Sequence, residues 1–215
     1  GIDLFSTKRQ VDRIVATPNG HATSQDLQLY ADSIDLRVRA NVLQRAIAWG
    51  KGGARATSPQ RDITADSIDA LLPGQQLHEI HAVRHAYATS VPDSATIPTK
   101  ERDWMRGDTI IAFFDTVPRG DTTHTPPIKT LLASQQARAY YHVKNEHDVR
   151  KPGVNYVRGT VIDIAFRDSV VQTVTVEGRA SGVYLEAASD TTAKPPRRPL
   201  GTPRGRTPVG TRPRQ

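Results

Sequence analysis

A chain of 215 residues with 37% hydrophobic and 6% aromatic residues is one ordinary domain, or one domain with a tail, and its core must be thin. It has no cysteine, which excludes disulfides and thiol-metal sites, and no run approaching the roughly 20 apolar residues that span a bilayer as a helix. The net charge of +7 suggests nucleic acid until it is located. After Asp190 there is no acidic residue, while Lys194, Arg197, Arg198, Arg204, Arg206, Arg212 and Arg214 supply seven positive charges. Removing those seven from the 29 basic residues leaves 22, matched by 22 acidic ones, so the remainder of the chain is neutral.

The chain opens at Gly1-Ile2-Asp3-Leu4 without a start methionine and reads as a mature or truncated piece. From residue 11 it alternates between two kinds of segment. One kind is "VDRIVA" (11–16), "LHEIHA" (77–82), "IKTLLA" (128–133) and "VQTVTV" (171–176). Each of these closes on two small residues spaced by one: Gly20 and Ala22, Ala86 and Ala88, Ala137 and Ala139, Ala180 and Gly182. "LQRAIAWGKGGARATS" (43–58) joins this set if two residues are inserted near Gly50–Gly53.

The other kind is "LYADSID" (29–35), "ITADSID" (63–69), "MRGDTII" (105–111) and "VRGTVID" (157–163). In each, an apolar residue is followed by a small one two positions on, then by an isoleucine after three more. Alternate apolar positions continue from there: Leu36 and Val38, Ala70 and Leu72, Ala112 and Phe114, Ile164 and Phe166. Period two is the strand signature. Within the motif the apolar parity flips, because Leu29 and Ala31 are odd whereas Ile34 and Leu36 are even. Such a slip exchanges the two faces, so a bulge or corner is expected there, hinged on the small residue. The second half-unit at 11–24 has only a remnant of a first half before it, so further repeats are expected upstream of Gly1.

The fold expected is all-β, with residues 1–187 forming repeated hairpins. Irregular inserts are expected at 91–100 and 117–127. Residues 188–215, rich in proline and arginine, are expected to be disordered, because they cannot bury enough apolar surface to offset ordering.

Chemistry is scarce. Asp32, Asp35, Asp66 and Asp69 are candidate carboxylates for a β-helix enzyme acting on carbohydrate, but an aspartate at a strand corner is expected to hydrogen-bond its own backbone. His78, His81 and His85 cluster in sequence; on a strand His78 and His81 point to opposite faces, so no metal site is expected, and His81 and His85 should face solvent. Trp49 and Trp104 are candidates for stacking a ligand, but Trp104, which precedes the 105–111 motif, is expected instead to cap a strand layer. No catalytic residue and no cofactor is expected, and the tail lacks the interleaved aromatics of a single-strand nucleic-acid binder.

"MRGDTIIAFFD" (105–115) and "NYVRGTVIDIAFRDSVVQTVTVEGRASGVYLE" (155–186), with the paired repeats over roughly 1–187, resemble the OstA-like domain of the lipopolysaccharide-transport proteins. The resemblance implies an open V-shaped β-jellyroll, a periplasmic location, acyl chains held inside, and stacking on other OstA-like domains through edge strands. It implies lipopolysaccharide or a similar lipid as partner and no enzyme activity. The lining candidates are the even positions after each corner: Ile34, Leu36, Ile68, Leu72, Ile110, Phe114, Ile162, Ile164 and Phe166. The alternative is an assembly module of the same fold that uses its edges for protein partners and carries no lipid.

Overall fold

A computed structural model describes residues 1–7, 10–24, 27–92, 97–116, 126–145, 150–167 and 170–186. Most of the second insert, part of the first, and the whole tail expected to be disordered lie outside the described residues. Among the described residues twelve strands pair antiparallel in one sheet: β1 (Ile2–Thr7), β2 (Gln10–Ala16), β3 (Gly20–Ser24), β4 (Leu27–Arg39), β5 (Val42–Thr57), β6 (Arg61–Leu71), β7 (Glu79–Ser90), β8 (Asp103–Phe114), β9 (Ile128–Val143), β10 (Gly153–Arg167), β11 (Val170–Glu177) and β12 (Ser181–Leu185). The order is β1-β2-β4-β5-β6-β7-β8-β9-β10-β11, with β3 also on β4 and β12 also on β10. Apart from β2 with β3 and β11 with β12, strands consecutive in sequence pair in space, as a meander of hairpins requires. The only helical segment among the described residues is a 3₁₀ turn at Pro73–Gln75.

The expected corner is present in every long strand. Register shifts fall between Ala31 and Ser33, Trp49 and Ala54, Thr64 and Ser67, Val83 and Ala86, Arg106 and Thr109, and Gly159 and Val161. Each long strand therefore crosses from one leaf of the jellyroll to the other. The first leaf holds β1, β2, the C-terminal halves of β4, β6, β8 and β10, the N-terminal halves of β5, β7 and β9, and β11. The second holds the complementary halves with β3 and β12. At each end the corner becomes a break: β2 and β3 are separated at the cis Thr17–Pro18 bond, and β11 and β12 at Gly178-Arg179. In β5, the steps from Trp49 to Ala54 oppose those from Ser33 to Ala31, five against two. In β7, Val83 to Ala86 opposes Thr109 to Gly107, three against two. Two more residues are thus accommodated at Gly50–Gly53 than in β7, as the sequence spacing requires.

Packing explains the small residues. Across the first leaf beside the corner, cross-strand partners run Ile34–Ala48–Ile68–Ala82–Ile110–Ala133–Ile162, all at most 1% exposed. Large side chains come from one kind of strand and small ones from the other, so the row interlocks where the leaves meet. On the second leaf Gly107 is required by close approach: a Cβ there would lie 2.7 Å from the carbonyl oxygen of Ser134 on the next strand. The sheet does not close into a barrel, since β1 and β11 end the order without pairing each other. The protein is an all-β, open jellyroll of repeated hairpins.

Candidate functional site

The lining candidates all belong to the single core cluster or pack on it, but they divide into three groups. Ile34, Ile110 and Ile162, each at most 1% exposed, sit at the corner and line neither of the two cavities described next. Leu36, Ile68 and Leu72 line a small cavity of about 70 Å³ near the N-terminal end, opposite Leu27 and Leu29 of the second leaf. Phe114, Ile164 and Phe166 line a much larger one of about 670 Å³. Its first-leaf wall also includes Ile128, Leu131, Val170 and Val171; its second-leaf wall includes Ile63, Ala88 and Met105. That volume falls within the roughly 300–1,000 Å³ of small-molecule pockets, and no buried side-chain polar atom of the described residues is left without a partner.

A polar cluster borders this cavity: Gln60, Arg61, Asp103, His142 and Lys144. His142 is 3% exposed; its backbone N–H donates to Asp103 Oδ1 at 3.0 Å and its Nδ1 lies 2.7 Å from the same oxygen. Burial raises the Asp103 carboxyl above its usual range, partly countered by His142. Tyr140 donates to Glu101 at 2.7 Å, and that carboxylate pushes the phenol up to about 12. Tyr141 faces the core at 7% exposure, and desolvation raises its phenol, offset by a hydrogen bond with Asn155. The apolar chamber thus has a charged, hydrogen-bonded margin.

The candidate carboxylates are engaged elsewhere. Asp32 accepts from the backbone N–H groups of Lys51 at 2.6 Å and Gly52 at 3.4 Å, and Asp66 pairs with Arg84 and His85 at 3.2 and 3.0 Å. The expectation that corner aspartates bond their own backbone is corrected: they reach across to the neighbouring strand, whose bulge presents its groups to them. In β7 and β9 that bulge places pairs of non-glycine residues at positive φ, Arg84-His85 and Gln135-Gln136, the left-handed conformation that side chains seldom adopt. Asp35 is buried between Arg13 at 2.9 Å and Arg37 at 3.5 Å, and Asp69 pairs with Arg45, Nε to Oδ1, at 2.8 Å.

The three histidines are not brought together. His81 pairs with Glu79 on the outer face and His85 with Asp66 at the corner, while His78 precedes β7. Among the described residues no group of three or more His, Asp or Glu is placed to hold a metal. Trp104 is a second correction. Rather than capping a layer, it joins Tyr87, Tyr140 and Tyr156 in a row across the second leaf, with ring centroids 6.2, 6.0 and 6.1 Å away, and with Tyr140 it also borders the large cavity. That cluster spans four strands, and only cross-strand register brings it together. The signal available in the sequence was the shared position of Trp104 and Tyr156, each one residue before a motif start.

No protein-family model matches the sequence, and no curated protein matches it significantly. Among solved structures it is similar to LptH, the LptA-homologous periplasmic component of the conserved lipopolysaccharide transport device from Pseudomonas aeruginosa. The two share 16% identity with a TM-score of 0.47, over 75% of this chain and 98% of that one.

Proposed function

We propose that this chain is a non-enzymatic lipid-binding protein of the periplasm, which carries or bridges lipopolysaccharide or a similar amphiphile toward the outer membrane. The observation that carries this reading is the chamber of about 670 Å³ between the leaves, walled by Phe114, Ile164 and Phe166 with charged groups at its margin. Each methylene entering such a space from water gains about 0.8 kcal/mol, while a head group stays at the polar border. The volume suits part of an amphiphile, so a long or multiply acylated lipid would extend out of the open side.

Exchange between molecules would use the sheet ends. At the N-terminal end the first leaf is one strand longer than the second. Ile2 and Leu4 share the inner face with Ile34 and Leu36, yet are 71% and 65% exposed, because among the described residues no strand of the second leaf covers them. A strand added to β3 by another jellyroll would cover both, extending the trough by β-augmentation. The same overhang favours the second reading, an assembly module without cargo.

Mass spectrometry of lipid retained by the intact protein, purified from cells that make lipopolysaccharide, separates the two. Bound amphiphile in the wild type, lost in Phe114→Ser and Phe166→Asp with unchanged circular dichroism, supports carriage. Assembly without retained lipid in any variant would establish the module.

A further inference from the structure

Rows of arginine occur on both outer faces, and the two rows differ in one respect. On the first leaf Arg13, Arg37 and Arg45 are cross-strand partners on three adjacent strands. Like charges directly opposite are destabilising, and here Asp35 and Asp69 sit among them and form ion pairs. On the second leaf Arg106, Arg138 and Arg158 are likewise in register across β8, β9 and β10. Among the described residues no carboxylate pairs with any of these three. Arg158 donates to Ser181 Oγ at 2.6 Å, and the Arg106 guanidinium lies 5.8 Å from the centre of the Trp104 ring. Glu101 and Asp103 are engaged by Tyr140 and His142, on the side of the aromatic row away from the arginines.

The next outward row across the same strands is Trp104–Tyr140–Tyr156–Val183. Tyr87, 40% exposed, adjoins Trp104, and Val183 and Leu185, 54% and 61% exposed, continue the face on β12. Uncompensated arginines beside tyrosine, tryptophan and exposed aliphatic side chains combine the two elements that seat proteins on bilayers. Aromatic rings with one polar end settle at the headgroup level, and cationic side chains are drawn to anionic lipid. A small free anion would not call for exposed Val183 and Leu185. The charge also continues in the sequence, since β12 is followed by seven basic and no acidic residues after Asp190.

We propose that the outer face of the second leaf, centred on Arg106, Arg138, Arg158, Trp104 and Tyr156, is a docking surface for an anionic phospholipid bilayer. It meets the chamber at the margin, where Trp104 and Tyr140 also line the cavity, but it does not depend on lipid being carried there. Held on this face, the protein lies with its sheet along a membrane while its interior remains free.

The test is sedimentation of the full chain with vesicles of phosphatidylglycerol in phosphatidylcholine, against phosphatidylcholine alone. Each arginine near an anionic surface contributes about 1 kcal/mol, so Arg106→Gln/Arg138→Gln/Arg158→Gln should lower partition to the anionic vesicles about a hundredfold. The corresponding triple lysine variant should bind nearly as wild type and controls for folding. In a Trp49→Phe background, Trp104 emission should shift to shorter wavelength on anionic vesicles. Unchanged partition of the triple glutamine variant would overturn the proposal and leave the tail as the membrane contact. Equal binding to both vesicle types would also overturn it, as would loss of binding in Phe114→Ser, which would place the contact at the chamber. Preferential binding of a single-stranded oligonucleotide at equal phosphate would replace it with nucleic-acid recognition.

Discussion

Two alanines on β7 separate a closed corner from an open chamber, and replacing each by isoleucine tests that difference. Ala82 lies in register between Ile68 and Ile110, and all three are 0% exposed. A larger side chain there has no space to enter, so it must displace an isoleucine or part the leaves. Overpacking of this kind costs about 2 kcal/mol, which for a domain of this size lowers the melting temperature by roughly 4–8 °C. Ala88 lies in register between Ile63 and Met105 and is also buried, at 6%, but it lines the large cavity. There the added carbons enter empty space in a strand that favours β-branched residues, so Ala88→Ile should change stability by no more than about 0.5 kcal/mol. Thermal and urea unfolding followed by far-ultraviolet circular dichroism measure both. Ala88→Ile should in addition reduce lipid uptake, because it takes up volume in the chamber, and Ala82→Ile should not do so at temperatures where it is folded. Equal destabilisation by the two substitutions would refute the reasoning, since the second site would then be as tightly packed as the first.

Gly107→Ala places a Cβ 2.7 Å from the Ser134 carbonyl oxygen; because that neighbour is backbone, the variant should lose about 1–3 kcal/mol in urea unfolding. Spectrophotometric titration should show one tyrosine resisting ionisation up to about 12, and Glu101→Gln should bring it down, because the carboxylate that accepts from Tyr140 holds the phenol protonated. The folded value lies above the unfolded one, so that contribution to stability is full below the ordinary tyrosine range and is lost as pH rises toward 12. At the other end of the scale, the hydrogen bond from His85, with a smaller contribution from Arg84, holds the Asp66 carboxyl below its ordinary range. This stabilisation is present above the unfolded carboxylate pKa and disappears as pH falls through the depressed folded value. Asp66→Asn should therefore flatten the acid limb of the stability profile.

The corners were legible because period-two alternation reverses parity at a fixed point in four segments, and only a bulge can reconcile Leu29 with Ile34 on one face. The interlocking row was legible in part, since its isoleucines and alanines recur at fixed spacing. The division of the lining was not. Ile110 and Phe114 share parity and strand, yet only Phe114, four residues farther from the corner, lines the large cavity. The left-handed pairs at Arg84-His85 and Gln135-Gln136 were also hidden, since glycine or asparagine is the usual sign of that conformation and neither is present. The outer aromatic face depends on register across four strands, which the spacing of Trp104, Tyr140 and Tyr156 does not reveal on its own.

The central claim is that the chamber holds lipid, and site-specific photocrosslinking in cells that make lipopolysaccharide tests it most directly. A photoreactive residue at Phe114, on the chamber wall, is compared with one at His81 on the outer face of the first leaf, where the side chain pairs with Glu79. Lipid adducts at Phe114 and none at His81 are the predicted result. A folded protein with no adduct at Phe114, or with equal adducts at both positions, would contradict the claim and leave the jellyroll as a scaffold for protein partners.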